Sequence, residues 1–124
     1  MKKYAFIIFV TLSFISCRSL LNQYASWEFL QNANFRIGVP YKNNNEYLLP
    51  FTCDLTRSNS APLAIIKSKI KKTNDEISFR LIYTLGDKGN INSINLGKTS
   101  PGIYSLYYND VDKRKIFIDE IIIQ

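Results

Sequence analysis

The chain has 124 residues, of which 46% are hydrophobic and 14% aromatic, a composition too apolar for intrinsic disorder and sized for a single domain. Its formal charge of +6 falls to +4 once Lys2 and Lys3 leave with a leader, which suits contact with anionic lipid or polysaccharide and falls short of a nucleic-acid binder's dense basic footprint. No histidine is present, which removes the usual general base and a common zinc ligand, and Cys17 and Cys53 alone cannot build a Cys-rich metal site.

Residues 1–17 run from two lysines through about a dozen largely apolar residues to Ser16 and Cys17, the anatomy of an export signal. The apolar run is shorter than the roughly 20 residues a membrane-spanning helix needs. The stretch Phe14-Ile15-Ser16-Cys17 resembles the lipobox of bacterial lipoproteins, in which a small residue precedes a cysteine that is diacylated and becomes the new N-terminus. Ser16 and Cys17 match that pattern, while Phe14 stands where Leu is usual. The resemblance implies lipidation of Cys17, and it reads Arg18, which is not Asp, as permitting transfer to the outer membrane. Each buried methylene of such an anchor contributes about 0.8 kcal/mol, so several acyl chains make dissociation negligible. Cleavage nearby by an ordinary signal peptidase, with Cys17 lost or disulfide-bonded, is the alternative.

Residues 17–34 read as a lipid-anchored tether or a short helix. Leu20, Leu21, Tyr24, Trp27 and Leu30 fall near helical spacing with Ser19 as a candidate cap, and the same stretch reads equally as a tether ending in a first strand. From Phe35 the period changes to two. Strands are expected over 35–41, a run from Tyr47 to Thr56, 63–72, 77–85, 91–96, 102–109 and 114–123. Tyr47, Leu49, Phe51, Cys53 and Leu55 share one face of the second of these, which points Cys53 inward. Thr73-Asn74-Asp75 supplies turn chemistry for a hairpin between the third and fourth, and Gly86, Gly89, Gly97 and Gly102 mark breaks. Seven short strands over residues 35–124 predict an all-β, antiparallel two-sheet sandwich as the one folded domain.

Leu96 to Tyr108 contains a Pro101-Gly102 turn two residues before Tyr104. This segment resembles the penultimate corner and strand of immunoglobulin-like and fibronectin-type modules, and the resemblance implies that the Tyr104 hydroxyl bonds back to the upstream backbone as a structural corner. With the isoleucine-rich stretch 116–123, residues 80–124 also resemble the C-terminal sorting domain of type IX secretion cargo. Such cargo carries a large effector ahead of that module and none stands here, so the likeness is read as shared sandwich grammar.

Lys67, Lys69 and Lys71 alternate with Ile66, Ser68 and Ile70 and are extended by Lys72. They form a positive row for an anionic surface or acidic partner, or else guard an edge strand against aggregation. Asn109-Asp110-Val111-Asp112 lacks the Gly and distant Glu of a calcium loop and reads as a solvated hairpin turn. Asp119-Glu120 marks a bulge or an edge guard in the last strand.

No nucleophile with an activating base and no local carboxylate pair stands out, so the expectation is a non-enzymatic, lipid-anchored binding or assembly module with no cofactor, metal, nucleic acid or small-molecule substrate. Its place is the bacterial envelope, at the outer membrane facing the periplasm or the cell surface, with the membrane and another envelope protein as partners. A periplasmic inhibitor or immunity protein that blocks a toxin or a lysozyme-like enzyme is the competing reading.

Overall fold

Alternation of buried and exposed residues sets the strands. A computed structural model describes residues 22–55, 63–85 and 90–124; the leader, Cys17, Ser19, Gly86 and Gly89 lie outside the described residues. Among those described are β1 (Asn22–Tyr24), α1 (Trp27–Asn32), β2 (Arg36–Ile37), β3 (Tyr41–Asn43), β4 (Glu46–Thr52), β5 (Leu63–Lys72), β6 (Glu76–Leu85), β7 (Ser93–Gly97), β8 (Gly102–Asn109) and β9 (Lys115–Ile123). They build an all-β sandwich of two sheets.

In the first sheet β5 pairs with β6, β6 with β8, and β8 with β9, while β1 continues the β8 lane by pairing with Ile82–Thr84 of β6. Among the described residues every pairing is antiparallel except β6 with β8, which departs from the antiparallel expectation because the chain crosses to the second sheet as β7 before it returns as β8. In the second sheet β4 lies between β7 and a lane shared by β2 and β3. Leu49, Phe51, Ile94 and Leu96 from this sheet meet Ile77, Phe79, Leu81, Leu106 and Ile123 from the other, and each is buried. Among the described residues no helix is long and apolar enough to cross a membrane.

Two expected strands also change. The strand expected over 35–41 is split, because Pro50 in β4 has no N–H to offer the neighbouring lane and Pro40 has none to return. The Gly38 amide instead donates to the Pro50 carbonyl at 2.8 Å, and a Cβ on Gly38 would stand 2.9 Å from the Pro50 Cγ. The strand run expected to reach Thr56 stops at Thr52, and Cys53 packs half-buried against the core beyond it.

Of the segment read as tether or helix, the described residues 22–34 divide into a strand and a helix, and both pack onto the sandwich. Helix α1 is capped by Ser26, whose Oγ accepts from the Phe29 amide at 3.1 Å, and it stops before Asn34, which sits in the left-handed region at φ 57°. Leu30 is fully buried, and Trp27 and Phe35 join Phe51, Phe79 and Tyr108 in an aromatic cluster with ring centroids 5.1 to 6.1 Å apart. Burying that cluster is what draws residues 22–34 onto the sheets.

Candidate functional site

The register of β5 against β6 places Lys67, Lys69 and Lys71 opposite Ile82, Arg80 and Ser78, on the face of the first sheet turned away from the second. Tyr24 of β1 joins this face beside Ile82. The Lys69 ammonium donates to the Tyr24 hydroxyl at 2.9 Å and lies 5.5 Å from its ring centre, and the Arg80 guanidinium lies 4.4 Å from the same ring. The Lys69 hydrogen bond, helped by the charges of Lys69 and Arg80, holds the Tyr24 phenol below its ordinary pKa.

Arg80 is pinned from behind. Its Nε and Nη2 donate to the carbonyls of Asn109 and Asp110, each at 3.0 Å. Between these groups opens a cleft of about 360 Å³ lined by Tyr24, Lys69, Ile70, Lys71, Arg80, Asn109 and Lys113. Among the described residues the ion pairs join Arg114 to Asp110 and Asp112, and Lys115 to Glu76; none engages Lys67, Lys69, Lys71 or Lys113.

Lys72 departs from this row. Strand alternation sends it to the opposite face, where its ammonium donates to the Leu96 carbonyl at 2.7 Å, the Lys98 carbonyl at 2.8 Å and the Thr99 hydroxyl at 3.3 Å. It ties β5 to the end of β7 and closes that side of the sandwich, so it belongs to the scaffold and not to the basic face.

Tyr104 is buried, and its hydroxyl donates to the Ser100 carbonyl at 2.6 Å across the corner that precedes β8. Asp110 is not the solvated turn residue the sequence suggests. Its side chain is buried, with Oδ1 accepting from the amides of Trp27 at 3.1 Å and Val111 at 2.8 Å, so the β8–β9 turn holds the first turn of α1. Asp119 stands beside the bulge in β9, where Leu106 faces Asp119 and Tyr107 faces Phe117, and its carboxylate accepts from the Glu120 amide at 2.8 Å.

On the side opposite β5 the sandwich is open. The free edge of β9 and the β2–β3 lane flank a groove of about 630 Å³, lined by Ile37–Lys42, Tyr47, Asp119–Ile122 and Gln124. Val39 and Ile122 are 80% and 57% exposed there, and the Tyr47 hydroxyl crosses the groove floor to the Gln124 carbonyl at 2.6 Å.

Among the described residues no three His, Cys, Asp or Glu side chains gather as a metal site would need. Burial, and then the charge of Asp54, pushes the Cys53 thiol up to about 11, which keeps it protonated at neutral pH. Cys17 lies outside the described residues.

No protein-family model, curated protein or solved structure matches the chain. Sequence reasoning singled out the β5 lysines but missed Tyr24, Arg80 and Lys113, which come from three other elements. The alternation Arg80-Leu81-Ile82 within β6 carried the signal for Arg80, since a hairpin closed at Thr73–Asp75 sets Lys69 opposite it.

Proposed function

We propose that this protein is a non-enzymatic, lipid-anchored binding module of the bacterial envelope that holds another envelope protein in the open groove between β9 and the β2–β3 lane. The observation that carries the reading is the groove itself, an unclosed side of the sandwich where Val39, Tyr41 and Ile122 stay exposed. Asp119 and Glu120 on one wall favour a partner segment with a basic residue set beside an apolar one. The bulge and the Asp119 bond to the Glu120 amide discourage simple addition of a strand to β9, so the partner engages through side chains. A Cys17 anchor suits this role, because the five-residue step from Cys17 to Asn22 spans at most about 18 Å and keeps the domain at the membrane.

The test is photo-crosslinking in the native envelope with a reactive residue placed at Val39 or Ile122, and at Lys98 for comparison. One partner is expected to crosslink at the two groove positions and not at Lys98, and Asp119→Lys with Glu120→Lys should reduce its yield at least fivefold. Equal crosslinking at all three positions, or a yield indifferent to the charge reversal, overturns the assignment.

A further inference from the structure

We infer that the cleft formed by Tyr24, Lys69, Lys71, Arg80 and Lys113 binds the phosphate of an anionic lipid headgroup. Edge protection explains lysines on β5, which is an edge strand, but it explains neither Arg80 on the inner strand β6 nor Lys113 in the β8–β9 turn. Four cations from three elements converge on one cleft, and none of the residues lining it is acidic. Positive charge gathered in one cleft with no acidic side chain in its lining is unfavourable in the empty site and is relieved by an oxyanion.

The groups are also arranged to receive one. Arg80 spends two of its five donors on the Asn109 and Asp110 carbonyls, which fixes the guanidinium plane and leaves the remaining donors for a ligand. The Tyr24 hydroxyl accepts from Lys69 and keeps its own proton to donate. Lys113 holds a left-handed backbone at φ 71°, a position that Gly or Asn would occupy with less strain, and its charge belongs to the cleft. On the same outer face the rings of Tyr107 and Phe117 meet at 5.6 Å, with the Lys115 ammonium, itself paired with Glu76, 4.5 Å from the Tyr107 ring centre.

The source of the phosphate rests on the anchored reading above. Tyr24 lies seven residues from Cys17, so a tethered domain carries this cleft within about 25 Å of its own bilayer. The site does not depend on the groove partner.

The test uses the full chain in non-ionic detergent, titrated with inorganic phosphate and with short-chain phosphatidylglycerol or phosphatidylcholine, while amide and Arg Nε–H signals are followed by NMR. Shifts are expected to concentrate on Tyr24, Lys69, Arg80 and Lys113 and to half-saturate at a concentration at least tenfold lower for phosphatidylglycerol than for phosphatidylcholine. Lys69→Gln with Lys113→Gln should weaken that binding tenfold or more. Arg36→Gln with Lys98→Gln removes the same charge elsewhere and should leave it within twofold.

Equal response to the two lipids overturns the lipid assignment even where inorganic phosphate still shifts the cleft. Equal effects of the two double variants, or shifts spread over the whole surface, overturn the site. Fractionation of wild type and Cys17→Ala reports on the anchor separately, since a soluble wild-type protein would sink the tether and leave the titration standing.

Discussion

Two hydrogen bonds meet at the buried hydroxyl of Tyr108, which donates to the Ala25 carbonyl and accepts from the Leu81 amide at 3.3 Å. Burial pushes this phenol up to about 12, with the Leu81 bond and Arg80 opposing and Asp110 adding to the rise. Folding therefore favours the neutral form. The stability it supplies is complete below the unfolded value of about 10 and is lost as pH climbs from there through about 12. Tyr108→Phe should cost about 1–3 kcal/mol at neutral pH in urea denaturation, because Ala25 and Leu81 lose a buried partner. The gap between wild type and variant should then narrow between about pH 10 and about pH 12; a constant gap would show that the phenol does not titrate with folding. At this scale Tyr104 was legible, since its corner to Ser100 spans four residues of sequence. Lys72 was not, because its three acceptors lie 24 to 27 residues away, at the end of β7 and just beyond it.

Helix α1 shows how an element is decided jointly by its own residues and by distant ones. Six residues are too few to hold a helix alone. Ser26 satisfies the Phe29 amide from within, and Asp110 satisfies the Trp27 amide from 83 residues away. Ser26→Ala should cost about 1 kcal/mol. Asp110→Ala should cost about 1–3 kcal/mol, since it leaves a partly buried amide unpaired. Chemical denaturation of the two variants checks both, and an Asp110→Ala protein as stable as wild type would remove the turn from the account of the helix. The β5–β6 hairpin was easier to read than this helix. Thr73-Asn74-Asp75 closes β5 on β6, and Asn44 and Asn45, at φ 52° and 68°, close β3 on β4 with the left-handed pair that a tight two-residue turn requires. The break between β2 and β3 was hidden, because it follows from Pro50 standing across the sheet and not from residues 38–40 alone.

Over the whole molecule the two sheets have unequal roles. Strand β6 is paired on both sides, by β5 along one and by β8 and then β1 along the other, and it buries Ile77, Phe79 and Leu81. β3 is short, exposed and bonded on one side. Hydrogen exchange should accordingly be slowest at the amides of β6 and fastest in β3 and along the free edge of β9. Exchange of β6 as fast as that of β3 would contradict the pairing order. The same architecture assigns the surfaces: the β5 side is tied to β7 by Lys72, the β9 side stays open as the groove, and the outer face of the first sheet carries the basic cleft.

Alternation of apolar residues by itself determined that β5, β6, β8 and β9 are strands, and within one residue where each begins and ends. It did so because the period of a strand is local and one face of each is buried. Tertiary structure alone decided that β6 and β8 run parallel, that residues 22–34 complete the core, and that Tyr24, Lys69, Arg80 and Lys113 share a cleft. Those facts depend on which edges pair and in what register, and pairing is settled by burial summed over both sheets, a quantity no single segment contains.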